Sequence, residues 1–411
     1  MTQVITDLRL FRFRCYHDIS LKLDNRAVVL TGPNGAGKTN ILEALSFLSP
    51  GRGLRQAALD EVTQNSATPG STWAVSAMLD GMRYGKIRIG TGLDPASIAK
   101  GVKKRIVKID GDARKGQSGL TEYLSVVWVT PQMDRLFLDG SALRRRFLDQ
   151  VIFNFDGAHL GRLNKYEKAL RERSRLLRER GADGADPAWL SSLETVMAEA
   201  ALAIAAARLI TVERLQKAAI ENHLHTDIFP LPVIRIEGWV ERALENDPAL
   251  KVEEDFKEML RRGRPRDAMV GGAEHGTHRS DFMVWHKGHN LLADQCSTGE
   301  QKGLLMAVTL AHARLVAAER GFPPILLLDE MAAHLDEHRR KTLFEMVFSL
   351  GGQCWMTGTD KELFAPLKGQ AQFLDIENAA VTASTSPATD RFIPATEQQE
   401  KEEDGTCPQT R

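Results

Sequence analysis

The chain has 411 residues, of which 43% are hydrophobic and 26% charged, and its 54 basic side chains balance 54 acidic ones to a formal net charge of +0. That length holds about two to three domains with a core that needs no disulfide or metal to hold it. Zero net charge excludes a global field drawing the protein to nucleic acid or membrane, so any polyanion contact must rest on local clusters.

Residues 3–30 alternate apolar and polar groups and then reach the fully apolar AVVL, a pattern that predicts strands with the last one buried. NILEALSFL at 40–48 has helical spacing. Segments near 72–80, 85–90 and 103–110 are again predicted strands, separated by Gly and Asp turns. From about 141 to 222 the spacing is helical, broken by the GADGADP turn. Residues 232–240 and 282–285 are predicted strands. From 299 a helix, the apolar strand ILLL, a second helix and the strand QCWMT follow. The expected organisation is α/β. One head is divided between residues 1–140 and 271–378, a mainly helical block fills 141–270, and the Ser/Thr/Pro/Glu/Gln-rich residues 379–411 form a disordered tail.

The four cysteines, Cys15, Cys296, Cys354 and Cys407, lack metal-ligand spacing, which suits reduced thiols in a cytoplasmic protein. The N-terminal MTQVITDLRLFRFR has no apolar signal core, and the apolar run at 200–210 contains Arg208 and follows Glu199. No membrane partner is expected.

Gly32-Pro33-Asn34-Gly35-Ala36-Gly37-Lys38-Thr39 is a full G-x-x-x-x-G-K-[ST] match between a buried strand and a helix. Its glycines permit turns that aim several N–H groups at one anion, and the helix following, which continues through Asn40, adds the positive end of its dipole. Lys38 is a point charge for β- and γ-phosphates, and the Thr39 hydroxyl can ligate Mg2+. Far along the chain, the apolar strand ILLL ends in Asp329-Glu330, two carboxylates at the strand edge where open α/β sheets bind ligands. Such a pair also occurs as a plain helix cap. Beside a phosphate loop, Asp329 is expected to hold Mg2+ and Glu330 to orient an attacking water, making ATP and Mg2+ the expected cofactors.

Between these halves, Cys296-Ser297-Thr298-Gly299-Glu300-Gln301-Lys302 resembles the signature of ABC-type ATPases. His334-Leu335-Asp336 resembles their D-loop, and Gln132, after VVWVT and Pro131, stands at the place of their Q-loop. The resemblance implies an ABC-type P-loop head whose Ser297, Thr298, Gly299 and Glu300 contact the γ-phosphate held by a second copy, an ATP-dependent homodimer. About 260 residues separate Lys38 from Ser297, more than in transporter subunits and too few for the long coiled coil of SMC proteins. The opening LRLFRFRCYHDISLKLDNRAVVLTGPNGAGKTNILEALSFLSPGRGLR, the stretch TPQMDRLFLDGSALRRRFLD, the stretch KYEKALRERSRLL, Gly276-Thr277-His278-Arg279-Ser280-Asp281 and TGTD at 357–360 resemble the RecF family of bacterial recombination and replication-repair ATPases. Thr298, Glu300, Lys302 and Thr277 depart from that family's pattern.

The resemblance implies binding to duplex, gapped or junction DNA, RecR and RecO as partners in loading recombinase, and slow DNA-stimulated hydrolysis acting as a switch. Expected phosphate contacts are Arg52, Arg55, Lys103, Lys104, Arg105, Arg171, Arg173, Arg175 and Arg178. His275 and His278 form no zinc set, and a structural or nucleotide-side role is expected of them. The alternatives are an ATPase subunit coupled to a membrane transporter and an ATP-gated adaptor that does not hydrolyse.

Overall fold

The computed structural model describes residues 3–64, 70–98 and 100–383. In chain order the elements are β1 Gln3–Phe13, β2 Tyr16–Lys22, β3 Ala27–Thr31, α1 Lys38–Ser46, β4 Ala74–Gly81, β5 Gly85–Leu93, the short α2 Pro95–Ile98, β6 Arg105–Ile109, β7 Asp112–Arg114 and β8 Val126–Val129. Then come α3 Ser141–Phe153, α4 His159–Gly184, α5 Pro187–His225, β9 Pro232–Glu237, α6 Trp239–Asn246, α7 Ala249–Val270, β10 Asp281–His286 and β11 Leu291–Leu292. The chain closes with α8 Thr298–Arg320, β12 Ile325–Leu328, α9 Glu337–Ser349, β13 Cys354–Gly358, β14 Ala371–Glu377 and β15 Ala380–Ala383.

The apolar runs AVVLT, VVWV, ILLL and CWMTG are buried at every residue, as strands covered on both faces must be. With β14 and β15 they form one six-stranded sheet in the order β15-β14-β3-β13-β12-β8, parallel except for β15. The pleat sorts their side chains into two cores. Val28, Leu30, Ile325, Leu327 and Trp355 pack with α1 and with the antiparallel sheet β2-β1-β4-β5-β6-β7. Val29, Val127, Leu326, Leu328 and Met356 pack with α8, α9 and the end of α5. Residues far apart in sequence thus share one layered head.

Helices α4 to α7 make a third core around Met197, Ala201, Ile204, Val240 and Phe256. α5 is long and apolar enough to cross a bilayer by composition, yet half of its apolar window is buried within the fold, and it carries the buried charges Glu194 and Arg208. The GADGADP break is a kink at Gly181, φ 72°, after which a few residues remain helical. Strand β9 ends at Glu237, short of the predicted 240, because Gly238 opens α6. It pairs with β10, so a three-stranded sheet β11-β10-β9 joins the helical block to the C-terminal segment. The first residues of the expected tail are the strand β15, and 384–411 lie outside the described residues.

Ion pairs fasten the helical block, buried at Arg208 and half-buried at Arg144. Arg208 grips Asp149 through two bonds of 3.0 and 2.9 Å and donates to the Thr277 carbonyl at 2.7 Å. Arg144 pairs with Asp281 at 2.7 and 2.8 Å. His278 receives the Tyr166 hydroxyl on Nδ1 at 2.7 Å and gives its Nε2 proton to the Ala273 carbonyl at 3.0 Å. The stretch at 276–281 is therefore a structural junction. Arg173 is fully buried between Glu194 at 2.9 Å and Asp267 at 2.7 Å, and it donates to the Leu260 carbonyl at 2.6 Å.

Arg173→Ala, which strands the buried Asp267 carboxylate and leaves Glu194 to Arg264 alone, should cost about 3–5 kcal/mol in denaturant unfolding. Burial lowers the His278 pKa from 6.5 to about 4, so between those values the unfolded chain binds a proton that the folded chain refuses. His278 thus contributes fully above 6.5 and its share is lost as pH falls toward 4. Thermal melting across that range should show a shallower pH dependence in His278→Asn than in the parent.

Candidate functional site

The parallel sheet sets the geometry. β13 lies between β3 and β12, so the loop after β3 and the acids after β12 stand one strand apart at the same carboxyl edge. Glycine 32, at φ 143°, lies so close to β14 that a Cβ would come 2.1 Å from the Ile376 carbonyl oxygen. Gly37, at φ 115°, would press a Cβ to 2.5 Å from the Tyr16 hydroxyl. Only glycine meets both demands. Pro33, Asn34 and Gly35 are exposed at the loop tip, and Ala36 is held by the Ala379 amide bonding to its carbonyl at 3.2 Å.

Gly37 caps α1 without a side chain, and the Lys38 and Thr39 amides of the first turn donate to no protein acceptor among the described residues. Those free donors at a helix start suit an anion. Lys38 is buried and its ammonium bonds to the Gly32 and Pro33 carbonyls at 2.7 and 2.9 Å. Burial pulls its pKa below the ordinary lysine value, opposed by the nearby Glu330 and Asp329 carboxylates.

Asp329 is 4% exposed. Its Oδ1 accepts the Thr39 hydroxyl at 3.0 Å and the Thr357 hydroxyl at 2.8 Å. Burial pushes its pKa up, the two hydroxyl bonds oppose this, and the neighbouring Glu330 charge adds to the rise. Glu330 is half-buried, sits in the left-handed region at φ 54°, and donates its amide to Thr357 Oγ1 at 2.8 Å. Thr39 and Asp329 present the oxygen-only donors that Mg2+ requires, so the residues fit that ion.

Asn40 lies in the first turn of α1, where its side-chain amide bonds to Cys15 Sγ at 3.1 Å and its oxygen accepts from Arg55 at 2.8 Å. Buried Glu43 accepts Arg14 through two bonds of 2.9 and 2.6 Å and Arg55 at 3.0 Å. Arg55, an expected phosphate contact, therefore braces α1 instead.

Gln132 is exposed on the turn Pro131–Arg135, three residues beyond Val129, whose carbonyl accepts the Asp329 amide at 2.9 Å. Asp336 is exposed and caps α9 through the Arg339 amide at 2.8 Å. The signature residues lie at the start of α8. Ser297 and Glu300 form a capping box: Glu300 Oε2 accepts the Ser297 amide at 2.8 Å and its hydroxyl at 2.7 Å. Among the described residues, no hydrogen bond or ion pair joins Ser297, Thr298, Gly299 or Glu300 to the phosphate loop. Lys302 ties α8 to the Gln132 turn through Asp134 at 3.1 Å.

The structure corrects two further phosphate contacts. Arg105 is buried, and its guanidinium bonds to the Ser49 and Gly51 carbonyls beyond α1, at 3.1 and 2.8 Å, and to the Phe47 carbonyl. Arg173 is the buried ion described above. Arg171 and Arg175 are exposed beside Glu167 and Glu179 one turn away, and Lys103 pairs with Asp60 at 2.5 Å. Arg52, Lys104 and Arg178 are exposed and have no side-chain ion pair among the described residues. The stretch at 357–360 had drawn attention only by resemblance, and its Thr357 meets the acid pair; spacing did not reveal the Glu43 cluster.

The profile of the RecF/RecN/SMC N-terminal domain matches residues 4–373. The DNA replication and repair protein RecF of Agrobacterium fabrum (strain C58 / ATCC 33970) is 45% identical over 379 residues, 92% of this chain and 98% of its own length. This chain belongs to the RecF family. The RecF protein of Brucella suis biovar 1 (strain 1330) is 47% identical over 378 residues, 92% of this chain and 96% of its own. A solved structure of the recombination mediator protein RecF-ATPrS of the RecFOR pathway superposes with a TM-score of 0.81 at 21% identity, covering 93% of this chain and 98% of that one. An Smc head domain with an extended coiled coil from Pyrococcus furiosus reaches 0.50 at 15% identity, over 98% and 99% of the two chains. RecF proteins and SMC heads share this layered fold, and membership of the RecF family leaves the transporter-subunit alternative without support.

Thr357→Val removes one Asp329 bond and orphans the Glu330 amide. It should lower stability by about 1–3 kcal/mol in thermal or chemical unfolding.

Proposed function

We propose that this chain is an ATP-dependent DNA-binding recombination and replication-repair factor that dimerises on ATP and uses slow hydrolysis as a switch. The contact between Thr39 and Asp329, 290 residues apart in sequence, carries the reading, because it closes the phosphate loop onto the acid pair. Residues 1–140 and 271–378 are the two halves of the head and 141–270 the arm.

Gly32, Pro33, Asn34, Gly35, Ala36, Gly37 and Asn40 form the phosphate cradle, and Lys38 leaves its loop carbonyls to meet the β- and γ-phosphates. Thr39 and Asp329 hold Mg2+, which when bound neutralises phosphate charge. Glu330 orients and polarises the attacking water, with Gln132 on the adjacent strand edge and Asp336 at the subunit boundary. Ser297, Thr298, Gly299 and Glu300 of a second copy cover the γ-phosphate. In that closure the Ser297 hydroxyl must exchange Glu300 for phosphate, and a carboxylate beside an anion opposes the step, which accounts for slow turnover.

Duplex, gapped or junction DNA is the proposed ligand, with RecR- and RecO-type mediators as partners in placing recombinase on gapped DNA. A groove of about 860 Å³ lined by Arg52, Lys103, Lys104 and Asn164, between the antiparallel sheet and α4, supports a sequence-independent phosphate track. The Ser297–Glu300 bond favours one second reading, an ATP-gated adaptor with negligible hydrolysis.

Size-exclusion chromatography at micromolar protein with Mg2+ should give a dimer with ATP and a monomer with ADP. Lys38→Met should lose the ATP dimer and Glu330→Gln should retain it. A monomer under both nucleotides overturns the reading. ATPase rates with duplex, single-stranded and gapped DNA separate the two readings, because the adaptor shows no stimulation.

A further inference from the structure

Strand β10 ends at His286, a tight turn follows, and the pairing of His286 with Leu291 folds the hairpin back on itself. Gly288 sits in the turn, where a Cβ would come 3.2 Å from His286 Cε1. This allows the His286 and His289 rings to approach to 4.3 Å between centroids. The hairpin faces the start of α8, and His289 Nε2 lies 3.1 Å from Glu300 Oε1. One donor atom each from His286, His289 and Glu300 falls within 4.8 Å of the others.

We propose that His286, His289 and Glu300 bind a borderline transition-metal ion of the Zn2+ class. Two imidazoles and one carboxylate are a donor set found at zinc sites, where three protein ligands leave a coordination position for water. Mg2+ prefers oxygen donors and water, so the set discriminates against it. The two Glu300 oxygens already have separate tasks. Oε2 holds the Ser297 amide and hydroxyl, while Oε1 faces the imidazoles. The carboxylate can therefore ligate without releasing Ser297, and the bond from Oε2 orients it for the ion. His286 Nδ1 accepts the His289 amide at 3.2 Å. Ligation through Nε2 moves the ring proton to Nδ1 and gives up that bond.

The test uses the untagged full-length chain without nucleotide, with excess Mg2+ occupying the oxygen-donor sites. Zn2+ is titrated against a chromophoric chelator, and Co2+ serves as a spectroscopic probe. The expected result is one Zn2+ per chain and visible Co2+ bands of low coordination number. His286→Ala and His289→Ala should each weaken binding about tenfold or more with unchanged circular dichroism. Absence of stoichiometric Zn2+ binding overturns the proposal. So does affinity in the double variant equal to that of the parent chain.

Discussion

The buried carboxylate of Asp329 is the fixed point of the head. It accepts one hydroxyl from the helix after β3 and one from the end of β13, the strand in between. A carboxylate 4% exposed is costly unless its oxygens are satisfied. The two threonines meet that requirement at Oδ1 and at the same time define the spacing of three strand ends. The strand order β3-β13-β12 follows as a condition of the site. If β3 and β12 were direct neighbours, Thr357 would no longer stand between the phosphate loop and the acids.

The same strands divide the interior. Alternate residues of β3, β12 and β13 enter two separate cores, one closed by the antiparallel sheet with α1 and the other by α8 and α9. The loop helix and the signature helix therefore lie on opposite faces of one sheet and are aligned through it. The helical block joins this head through buried charge rather than through a loose linker. Arg208, held by Asp149 of the same block, reaches the Thr277 carbonyl before β10, and Arg144 reaches Asp281. Moving the block would strip buried Arg208 of its Thr277 contact and break the half-buried Arg144–Asp281 pair, which opposes independent movement.

Features that obey a period or a fixed spacing were legible in the sequence. The four apolar runs became four of the five parallel strands, while β14, whose AQFLDIE mixes apolar and polar groups, was not anticipated; the phosphate loop and the Asp329–Glu330 pair met although nearly 300 residues separate them. Features that depend on which side chain meets which were not legible. Arg105 and Arg173 looked like free cations because sequence reports charge and not enclosure; one is bonded to carbonyls just beyond a helix and the other lies between two acids. The strand predicted through residue 240 stopped early because Gly238 starts a helix, which the apolar Trp239-Val240 concealed. That Glu300 caps its own helix was likewise hidden, because spacing does not report which donors a carboxylate meets.

Glu330 has one more consequence. A non-glycine residue at φ 54° carries about 1–2 kcal/mol of backbone strain. Here the Thr357 hydroxyl bond to its amide helps to offset that strain. Glycine or asparagine would relax the backbone at this position, and a β-branched residue would strain it further. Selection for thermal robustness alone would thus drive the sequence away from a carboxylate here. A lineage that kept glutamate at this point would be accepting a less stable fold in exchange for an acid at the strand edge.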